Sequence, residues 1–307
     1  MINDLIIIGG GPAGTAGAVY AARKQLKTVL IASEFGGQST VSEDIQNWIG
    51  TPHISGADLA KSFENHVREY AGEYIEIHNG EYVTSITKNE EGGFSVLTDK
   101  GTYSAKSVLL TVGSTRRKLE VPGADIFEHK GLTYCASCDG PLFSGQDVAV
   151  IGGGNAAFES AAQLLAYCKT VSIINRSDKF RADEITVEKI RSHENARIIT
   201  NAQMTEVYGE GFVKGLKYKN EKDEIIDLPV TGIFIEIGLI PSTDLIGDLV
   251  EKNTYGQIKV DPKTQRTSVE GIWSAGDCTD GLYHQNNIAA GDAVKALEDL
   301  YQWVKTK

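Results

Sequence analysis

The fold is decided at residues 5–14, which read LIIIGGGPAG. Four consecutive apolar residues are typical of a strand that is buried on both faces of a parallel sheet. The glycines that follow form the pattern G-x-G-x-x-G, and a helical pattern then leads to a second apolar run at residues 28–31. In this order of strand, turn, helix and strand, the glycines let the backbone approach a pyrophosphate, and the helix N-terminus supplies free N–H groups.

We therefore predict a first dinucleotide cradle at this turn. A lone glycine motif can also be a bare turn, but the flanking strand and helix favour binding. An acid, Glu34, also stands near the distance at which a ribose ligand is expected. The predicted contacts are Gly9, Gly11, Pro12, Ala13, Gly14 and Glu34.

The same pattern recurs in the middle of the chain. Residues 147–151 (DVAVI) predict a strand, and residues 152–157 (GGGNAA) give the variant G-x-G-x-x-A. A helix of small residues then precedes a strand at residues 171–174. Two complete units in one chain predict two bound dinucleotides, which indicates an electron relay. The predicted contacts of this second cradle are Gly152, Gly154, Asn155 and Ala156.

The order of the elements predicts the domain arrangement. Residues 74–111 have the pattern of short strands, and residues 271–277 (GIWSAGD) predict a strand that ends in a Gly-Asp corner before a helix from about Asn286 to Trp303. Because these last elements follow the second cradle, we expect the chain to return to its first domain. The sequence predicts an α/β protein of two Rossmann-like dinucleotide-binding domains, the second (117–244) inserted in the first (1–116 and 245–307).

The end of the second strand in the second cradle indicates which nicotinamide cofactor binds there. An acid at this point bonds the ribose 2′-hydroxyl of NAD, whereas arginine accommodates the 2′-phosphate of NADP. The sequence reads NRSDKFR at residues 175–181, so the acid is absent and Arg176 and Arg181 are present. The planar guanidinium fork suits a phosphate, which favours NADPH. Two ordinary solvated arginines would give the same sequence pattern, so NADH remains an alternative cofactor.

Residues 134–141 (YCASCDGP) carry the most reactive chemistry of the chain. The C-x-x-C spacing brings Cys135 and Cys138 close enough for a readily exchanged disulfide. We expect no metal, because a zinc site would need two further ligands that the isolated Cys168 and Cys278 and the six histidines do not offer at ligand spacing. Asp139 is either a proton shuttle for the pair or a turn residue.

Composition excludes several classes of function. The formal net charge of -11 argues against a nucleic-acid partner, which requires a basic surface. No apolar run approaches the length of a membrane span, and the first residues lack the basic and apolar regions of a leader peptide. We therefore expect a cytoplasmic protein with no membrane partner. The other two cysteines are expected to pack: Cys168 in an apolar helical stretch, and Cys278 next to the Gly-Asp corner.

Together these residues resemble the low-molecular-weight thioredoxin reductase family and the reductase portion of the alkyl hydroperoxide reductase flavoprotein. The resemblance extends over essentially the whole chain. The motifs that carry it are Gly9–Gly14, Gly36-Gly37-Gln38, Asn47-Trp48, Cys135–Gly140, Gly152–Ala157, Gly276-Asp277 and Gln285 with the helix after it.

The resemblance implies FAD in the first domain and NAD(P)H in the inserted domain that carries the cysteine pair. It implies that Cys138 faces the flavin, that Cys135 attacks the partner and that Asp139 acts as acid and base. It further implies a homodimer, a large rotation of the inserted domain, and a docking role for Lys130. The implied cofactor contacts, beyond the glycines of the first cradle, are Gly37, Gln38, Asn47, Gly113, Gly276, Asp277, His284 and Gln285.

The chain departs from the family pattern in places. The family's His-Arg-Arg signature for NADPH reads Asn175-Arg176-Ser177 here, and His284 stands where an arginine is usual. The runs Gly140–Leu142 and Ala275–Thr279 are closer to the hydroperoxide-reductase branch, which carries an extra N-terminal thioredoxin-like domain. Because these 307 residues contain no such domain, we expect the partner to be a separate protein.

The function expected from the sequence is reduction by NADPH, through FAD and the cysteine pair, of a thioredoxin- or glutaredoxin-like protein. Four other readings stay open. The first is an FAD-dependent dithiol oxidase, which would not need the second cradle. The second is a reductase that uses NADH or a non-nicotinamide donor. The third, a ferredoxin–NADP reductase, would leave the cysteine pair unexplained, and the fourth, a flavin-binding sensor, would leave the second cradle unexplained.

Overall fold

The computed structural model describes residues 2–42, 45–90 and 92–306, apart from the side chain of Val41. In chain order, the strands are β1 (Asn3–Gly10), β2 (Thr28–Phe35), β3 (Ile75–Asn79), β4 (Val83–Lys88), β5 (Phe94–Thr98), β6 (Thr102–Leu110), β7 (Ser114–Arg116), β8 (Leu132–Thr133), β9 (Asp147–Ile151), β10 (Thr170–Ile174), β11 (Ala196–Ile199), β12 (Gln203–Glu210), β13 (Phe212–Lys219), β14 (Ile225–Pro229), β15 (Gly232–Ile235), β16 (Leu239–Pro241) and β17 (Ile272–Ser274). The helices are α1 (Pro12–Arg23), α2 (Gly56–Arg68), α3 (Ala136–Asp139), α4 (Asn155–Leu164), α5 (Glu184–Arg191) and α6 (Asn286–Thr306).

The chain divides into two compact units. The first combines Met1–Thr115 with Ile240–Lys307, and the second is Arg116–Leu239. The two passages of the chain between the units lie side by side, because β7 pairs with β16. The chain returns to the first unit at Ile240, where Pro241 belongs to β16 at the crossing.

The first unit is built on a seven-stranded sheet in the order β3-β2-β1-β6-β5-β4, with β17 also paired to β6. Strands β3, β2, β1, β6 and β17 are parallel, and β5 and β4 add an antiparallel edge. Side chains of β1 alternate between two cores, which explains its continuous apolar run. Leu5 and Ile7 pack with α6 residues such as Leu297, whereas Ile6 and Ile8 pack in the core that contains Phe94.

The second unit is built on a five-stranded parallel sheet in the order β11-β10-β9-β15-β8. Helices α4 and α5 cover one face through Phe158, Leu164 and Ile190, and the antiparallel sheet β12-β13-β14 packs on the other through Val207 and Leu216. The strand order reverses between β9 and β15. In parallel sheets of this kind, ligands bind at that reversal, beyond the carboxyl ends of the strands.

The α/β fold with two Rossmann-like units is confirmed. Strand β9 has the predicted bounds, and α6 runs to Thr306, beyond the predicted end at Trp303. The expected helical position of Cys168 is wrong: α4 ends at Leu164, and Cys168 lies buried in the segment before β10, where its backbone N–H still bonds the carbonyl of Leu164. Within the described part of the chain, no helix has the length and apolarity needed to cross a bilayer.

Candidate active site

The first cradle lies between the end of β1 and the start of α1. Gly9 has φ +117°, a backbone conformation that residues with a side chain rarely adopt, and a Cβ on Gly14 would collide with the carbonyl oxygen of Gly9. Gly11 is different, since only the Cα of Gly37, at 4.0 Å, lies near the place of its Cβ. Helix α1 begins at Pro12, whose missing N–H costs nothing in the first helical turn. The open backbone at Gly11 fits the close approach of a pyrophosphate.

Polar side chains from distant parts of the chain meet beside this cradle. Gln38 donates a hydrogen bond to the carbonyl of Ser114, which follows Gly113. Asn47 Nδ2 donates to Gln285 Oε1 at 3.0 Å, and Asn287 Nδ2 donates to the carbonyl of Asn47 at 2.7 Å. The structure thus brings Asn47 into contact with Gln285, and it ties Gln38 to the segment that carries Gly113.

The Gly-Asp corner closes the cradle from the other side. The place of a Cβ on Gly276 is 3.4 Å from the Cβ of Ala13 and 3.2 Å from that of Ala289 in α6. His284 Nδ1 lies 3.4 Å from Asp277 Oδ1. Glu34 is exposed near the end of β2, and a Cβ on Gly10 would collide with its carbonyl oxygen. Gly9–Gly14, Glu34, Gly113 and Gly276 therefore lie at the carboxyl ends of the parallel strands β1, β2, β6 and β17, in that order.

One residue of this region was missed by sequence reasoning. The hydroxyl oxygen of Ser42 is buried and has no hydrogen-bond partner in the described residues. Ser42 caps the short helical turn Gly37–Val41, beside the Gly36-Gly37 segment. A buried hydroxyl without a partner fits a polar ligand at this place. A serine in a polar loop gives no sequence signal that could have found it.

The second cradle repeats the first. A Cβ on Gly152, which has φ +151°, would collide with the carbonyl oxygen of Glu236, whereas Gly154 has no atom within 4 Å of the place of its Cβ. Ala157 is fully buried in the core that contains Phe158. Asn155 begins α4, and its Oδ1 accepts a hydrogen bond from the backbone of Asp183 at 2.8 Å. The next residue, Ala156, is exposed. As in the first cradle, the middle glycine leaves room for a pyrophosphate.

The loop 175–181 lies over the second cradle. Asn175, where an acid would indicate NAD, is buried, and its Nδ2 donates to the carbonyls of Ser177 at 2.9 Å and Lys179 at 3.0 Å. The backbone N–H of Arg181 donates to the carbonyl of Gly153 at 2.7 Å. Both Arg176 and Arg181 are exposed. Asn175 therefore holds the loop in shape, and the loop carries two guanidinium groups beside the cradle.

Cys135 and Cys138 form a disulfide at the carboxyl end of β8. Cys135 caps the four-residue helix α3, and its Sγ accepts a hydrogen bond from the backbone N–H of Cys138 at 3.2 Å. Both cysteines are half-buried, while Ala136 between them is buried in the core of the second unit. Ser137 Oγ donates to Gln163 Oε1 of α4 at 2.8 Å. The pair is held between β8 and α4 and stays partly accessible to solvent.

Asp139 follows the disulfide directly, and its carboxylate accepts a hydrogen bond from the hydroxyl of Thr133 in β8. A carboxyl group so placed can give or take a proton as the disulfide opens and closes. Tyr134, before the pair, has its pKa raised to about 12 because it is buried and lies near the carboxyl group of Glu128, so it stays a neutral hydroxyl.

The other two cysteines are buried, which disfavours their thiolate forms. Burial raises the pKa of Cys168 to about 11, and burial also raises that of Cys278. Cys278 has no exposed surface, and its Sγ lies 3.3 Å from the hydroxyl of Ser274. Among the described residues, no group of histidine, cysteine and carboxylate side chains could hold a metal ion.

Comparison with known proteins places this geometry among disulfide oxidoreductases. A family model described as pyridine nucleotide-disulphide oxidoreductase matches residues 3–293. The thioredoxin reductase of Streptococcus pyogenes superposes with a TM-score of 0.90 at 32% identity, covering 100% of this chain and 99% of that chain.

Curated relatives are longer than this chain. The F component of alkyl hydroperoxide reductase from Xanthomonas campestris pv. phaseoli is 41% identical over 296 residues, which is 95% of this chain and 55% of that protein. A protein named NADH dehydrogenase from Bacillus subtilis is 38% identical over 303 residues, which is 98% of this chain and 58% of that protein. The chain therefore spans less than two thirds of the length of these two relatives.

Proposed function

The chain belongs to the pyridine nucleotide-disulphide oxidoreductase family, and we propose that it is a reductase of thioredoxin- or glutaredoxin-like proteins that uses NADPH. The observation that carries the proposal is the half-buried Cys135–Cys138 disulfide with Asp139 beside it, in a unit that has its own dinucleotide cradle. Membership of this family implies an enzyme with FAD and a nicotinamide cofactor. We assign FAD to the first cradle and the nicotinamide cofactor to the second.

The chain's own residues would act as follows. When bound, FAD and the nicotinamide cofactor supply the two electrons that open the Cys135–Cys138 disulfide. The Cys135 thiolate then attacks one sulfur of the partner's disulfide and forms a mixed disulfide, and the second partner sulfur leaves as a thiolate. The Cys138 thiolate attacks Cys135 Sγ, which restores the Cys135–Cys138 disulfide and releases the partner as a dithiol. Asp139 gives and takes the protons of these steps.

The preference for NADPH rests on the loop over the second cradle. Arg176 and Arg181 are exposed on a loop that Asn175 and Gly153 hold at the cradle, and a guanidinium fork pairs well with a phosphate. The absence of an acid at residue 175 removes the ribose ligand that is typical of NAD sites.

NADH is the second candidate donor. It is favoured by the loss of one phosphate ligand from the family's signature, which reads Asn175-Arg176-Ser177 here, and by a relative that is named NADH dehydrogenase. A dithiol oxidase is less well supported, because an oxidase would have no use for the open second cradle at Gly154.

The proposal includes a homodimer and a rotation of the inserted unit between the two half-reactions. The two adjacent chain passages, at β7 and β16, give a short hinge that would permit such a rotation. Lys130 is exposed in the segment before β8 and is proposed to assist docking of an acidic partner surface.

Replacing Cys138 tests the proposal. We expect Cys138→Ser to lose at least about a hundredfold of disulfide-reductase turnover, because the mixed disulfide can no longer be resolved. Flavin reduction by the nicotinamide should persist. Turnover is measured with thioredoxin as the substrate, and Cys168→Ser is the matched control. Full reductase turnover in Cys138→Ser would overturn the mechanism.

A further inference from the structure

A carboxyl group stands at the reversal point of the second sheet. Glu236 is the first residue after β15, and its backbone N–H donates to the carbonyl of Ile151, at the end of β9, at 2.8 Å. Its own carbonyl oxygen occupies the space that a side chain on Gly152 would need. Glu236 is therefore at the crevice between β9 and β15, directly beside the glycines of the second cradle.

The carboxylate of Glu236 uses only part of its hydrogen-bonding capacity within the protein. Ser160 Oγ, in α4, donates to Glu236 Oε1 at 2.6 Å, and Glu236 is partly buried. A carboxylate has two oxygens and room for about four hydrogen bonds. One serine hydroxyl therefore leaves most of its accepting capacity for another donor.

The position of Glu236 indicates which part of a dinucleotide it would meet. In a Rossmann-like unit, the end of the second strand, here the loop 175–181 after β10, reads the adenosine ribose, and the pyrophosphate lies at the N-terminus of the first helix, here α4. A dinucleotide crosses the crevice, so its nicotinamide half lies on the opposite side of β9, beyond β15. The ribose of that half carries two hydroxyl groups, which are hydrogen-bond donors that suit a carboxylate.

We propose, resting on the proposed function, that Glu236 is a cofactor-binding residue whose carboxylate accepts hydrogen bonds from the hydroxyl groups of the nicotinamide-side ribose. This ribose is common to NADH and NADPH. The role of Glu236 is therefore separate from that of Arg176 and Arg181, which would distinguish the two cofactors at the other ribose. Glu236 would help both of them equally.

The charge state of this carboxyl group makes the role testable. Burial raises the pKa of Glu236 to about 7, against the opposing effects of the hydrogen bond from Ser160 and of the positive charge of Arg116, while Glu159 on α4 raises it further. The neighbouring strand β8 leads to the Cys135–Cys138 disulfide, which does not ionise while it is oxidised. Because the ionised form is the better acceptor, dinucleotide binding should tighten as pH rises through the pKa of Glu236.

A purely structural role gives a different result. If Glu236 served only to anchor α4 through Ser160, Glu236→Gln would keep that hydrogen bond, because the amide oxygen also accepts from a hydroxyl. Dinucleotide affinity would then be the same in the wild type and the variant at every pH. The variant removes the charge and leaves the shape.

The test is calorimetric binding of NAD⁺ to the full FAD-loaded chain at several values between about pH 6 and about pH 8.5. NAD⁺ cannot reduce the flavin and lacks a 2′-phosphate that would itself titrate. We expect wild-type affinity to rise about tenfold over this range. Glu236→Gln should bind with no such dependence and about five- to tenfold more weakly at the upper end. Glu221→Gln, which removes a charge at an exposed position of the same unit, should follow the wild type.

Two outcomes would contradict the proposed role of Glu236 and leave the proposed function intact. Wild-type affinity and pH dependence in Glu236→Gln would mean that the carboxylate does not meet the ribose. A wild-type affinity that falls as pH rises, with the fall removed by Glu236→Gln, would mean that the carboxylate faces the pyrophosphate and repels it. If neither NAD⁺ nor NADP⁺ bound the wild type at any pH, the inference would fail together with the proposed nicotinamide donor.

Discussion

At the scale of single residues, the proposed chemistry of the disulfide depends on Asp139. Asp139 follows Cys138 in the chain, and its carboxylate is held by the hydroxyl of Thr133. We expect Asp139→Asn to lower turnover with a thioredoxin-like substrate by about tenfold or more, because the amide cannot exchange a proton with the cysteine pair. Flavin reduction by the nicotinamide, measured by stopped-flow absorbance, should be unchanged. The control is Asp125→Asn, at an exposed aspartate of the same unit. Equal turnover in the two variants would contradict an acid–base role for Asp139.

A second residue-scale prediction concerns stability in the first unit. Glu81 is buried, and it accepts a hydrogen bond from Thr98 Oγ1 at 2.5 Å and lies 3.1 Å from His78 Nδ1. Burial alone would raise its pKa, but hydrogen bonds from Thr98 and Tyr103 and the nearby His78 and Lys100 outweigh burial, so its pKa lies below the ordinary 4.5.

The sign of the pH dependence follows from this lowered pKa. A carboxyl group with a lowered pKa stabilises the fold above its unfolded pKa and loses that contribution as pH falls. We expect Glu81→Gln to reduce the free energy of unfolding by about 1–3 kcal/mol at neutral pH and by less in acid. Thermal unfolding at pH 7 and at about pH 4 measures the difference, with the exposed Glu90→Gln as control. A difference that grew in acid would contradict the assigned sign.

Such residues also mark the limit of what sequence can predict. The hydrogen bond between Asn47 and Gln285 joins residues 238 positions apart, and that between Ser160 and Glu236 joins residues 76 positions apart. No local pattern encodes these partners, because each depends on how the sheet orders its strands. Glu236 did leave a weak signal, since it is a single acid inside the apolar run 233–237. A lone charge at the end of a buried parallel strand indicates a ligand site.

At the scale of elements, the glycines of the two cradles should differ in what they tolerate. A side chain on Gly14 would meet the backbone of Gly9, which cannot move aside, so we expect Gly14→Ala to lose bound FAD and to fold poorly. Gly154 has free space and an extended backbone. Gly154→Ala should therefore fold and keep FAD but bind the nicotinamide cofactor more weakly, by about tenfold or more, because the added methyl group enters the pyrophosphate site.

Flavin content and thermal unfolding measure the first effect, and calorimetric binding of NADP⁺ measures the second. Gly291→Ala, at an exposed position in α6 with free space, is the control and should gain up to about 1 kcal/mol of stability. Unchanged NADP⁺ binding by Gly154→Ala would show that the second cradle does not hold a dinucleotide.

Elements were also the part of the structure that the sequence predicted best. The cradles are local, because each places strand, turn and helix within about 30 residues, and both appear with the expected order. Cys168 was placed wrongly in a helix because an apolar run does not say where a helix ends; the chain turns after Leu164 to enter β10. The sequence of the loop 175–181 predicted its two arginines as phosphate ligands. It did not predict that the amide of Asn175 is buried and holds the loop by hydrogen bonds.

At the scale of the whole molecule, the chain carries two separate dinucleotide cradles and one disulfide, with the disulfide and the second cradle in the same unit. This content fits the proposed relay, which begins at a nicotinamide and ends at a protein disulfide.

The relay is tested most directly by anaerobic titration of the FAD-loaded protein with NADPH and, separately, with NADH, followed by the flavin absorbance. We expect NADPH to bleach the flavin rapidly at near-stoichiometric concentration, and NADH to require about tenfold more. Comparable bleaching by NADH would support the proposed reductase but with NADH as its electron donor. If neither cofactor bleached the flavin while dithionite did, the second cradle would not feed electrons to the flavin, and the proposed relay would be contradicted.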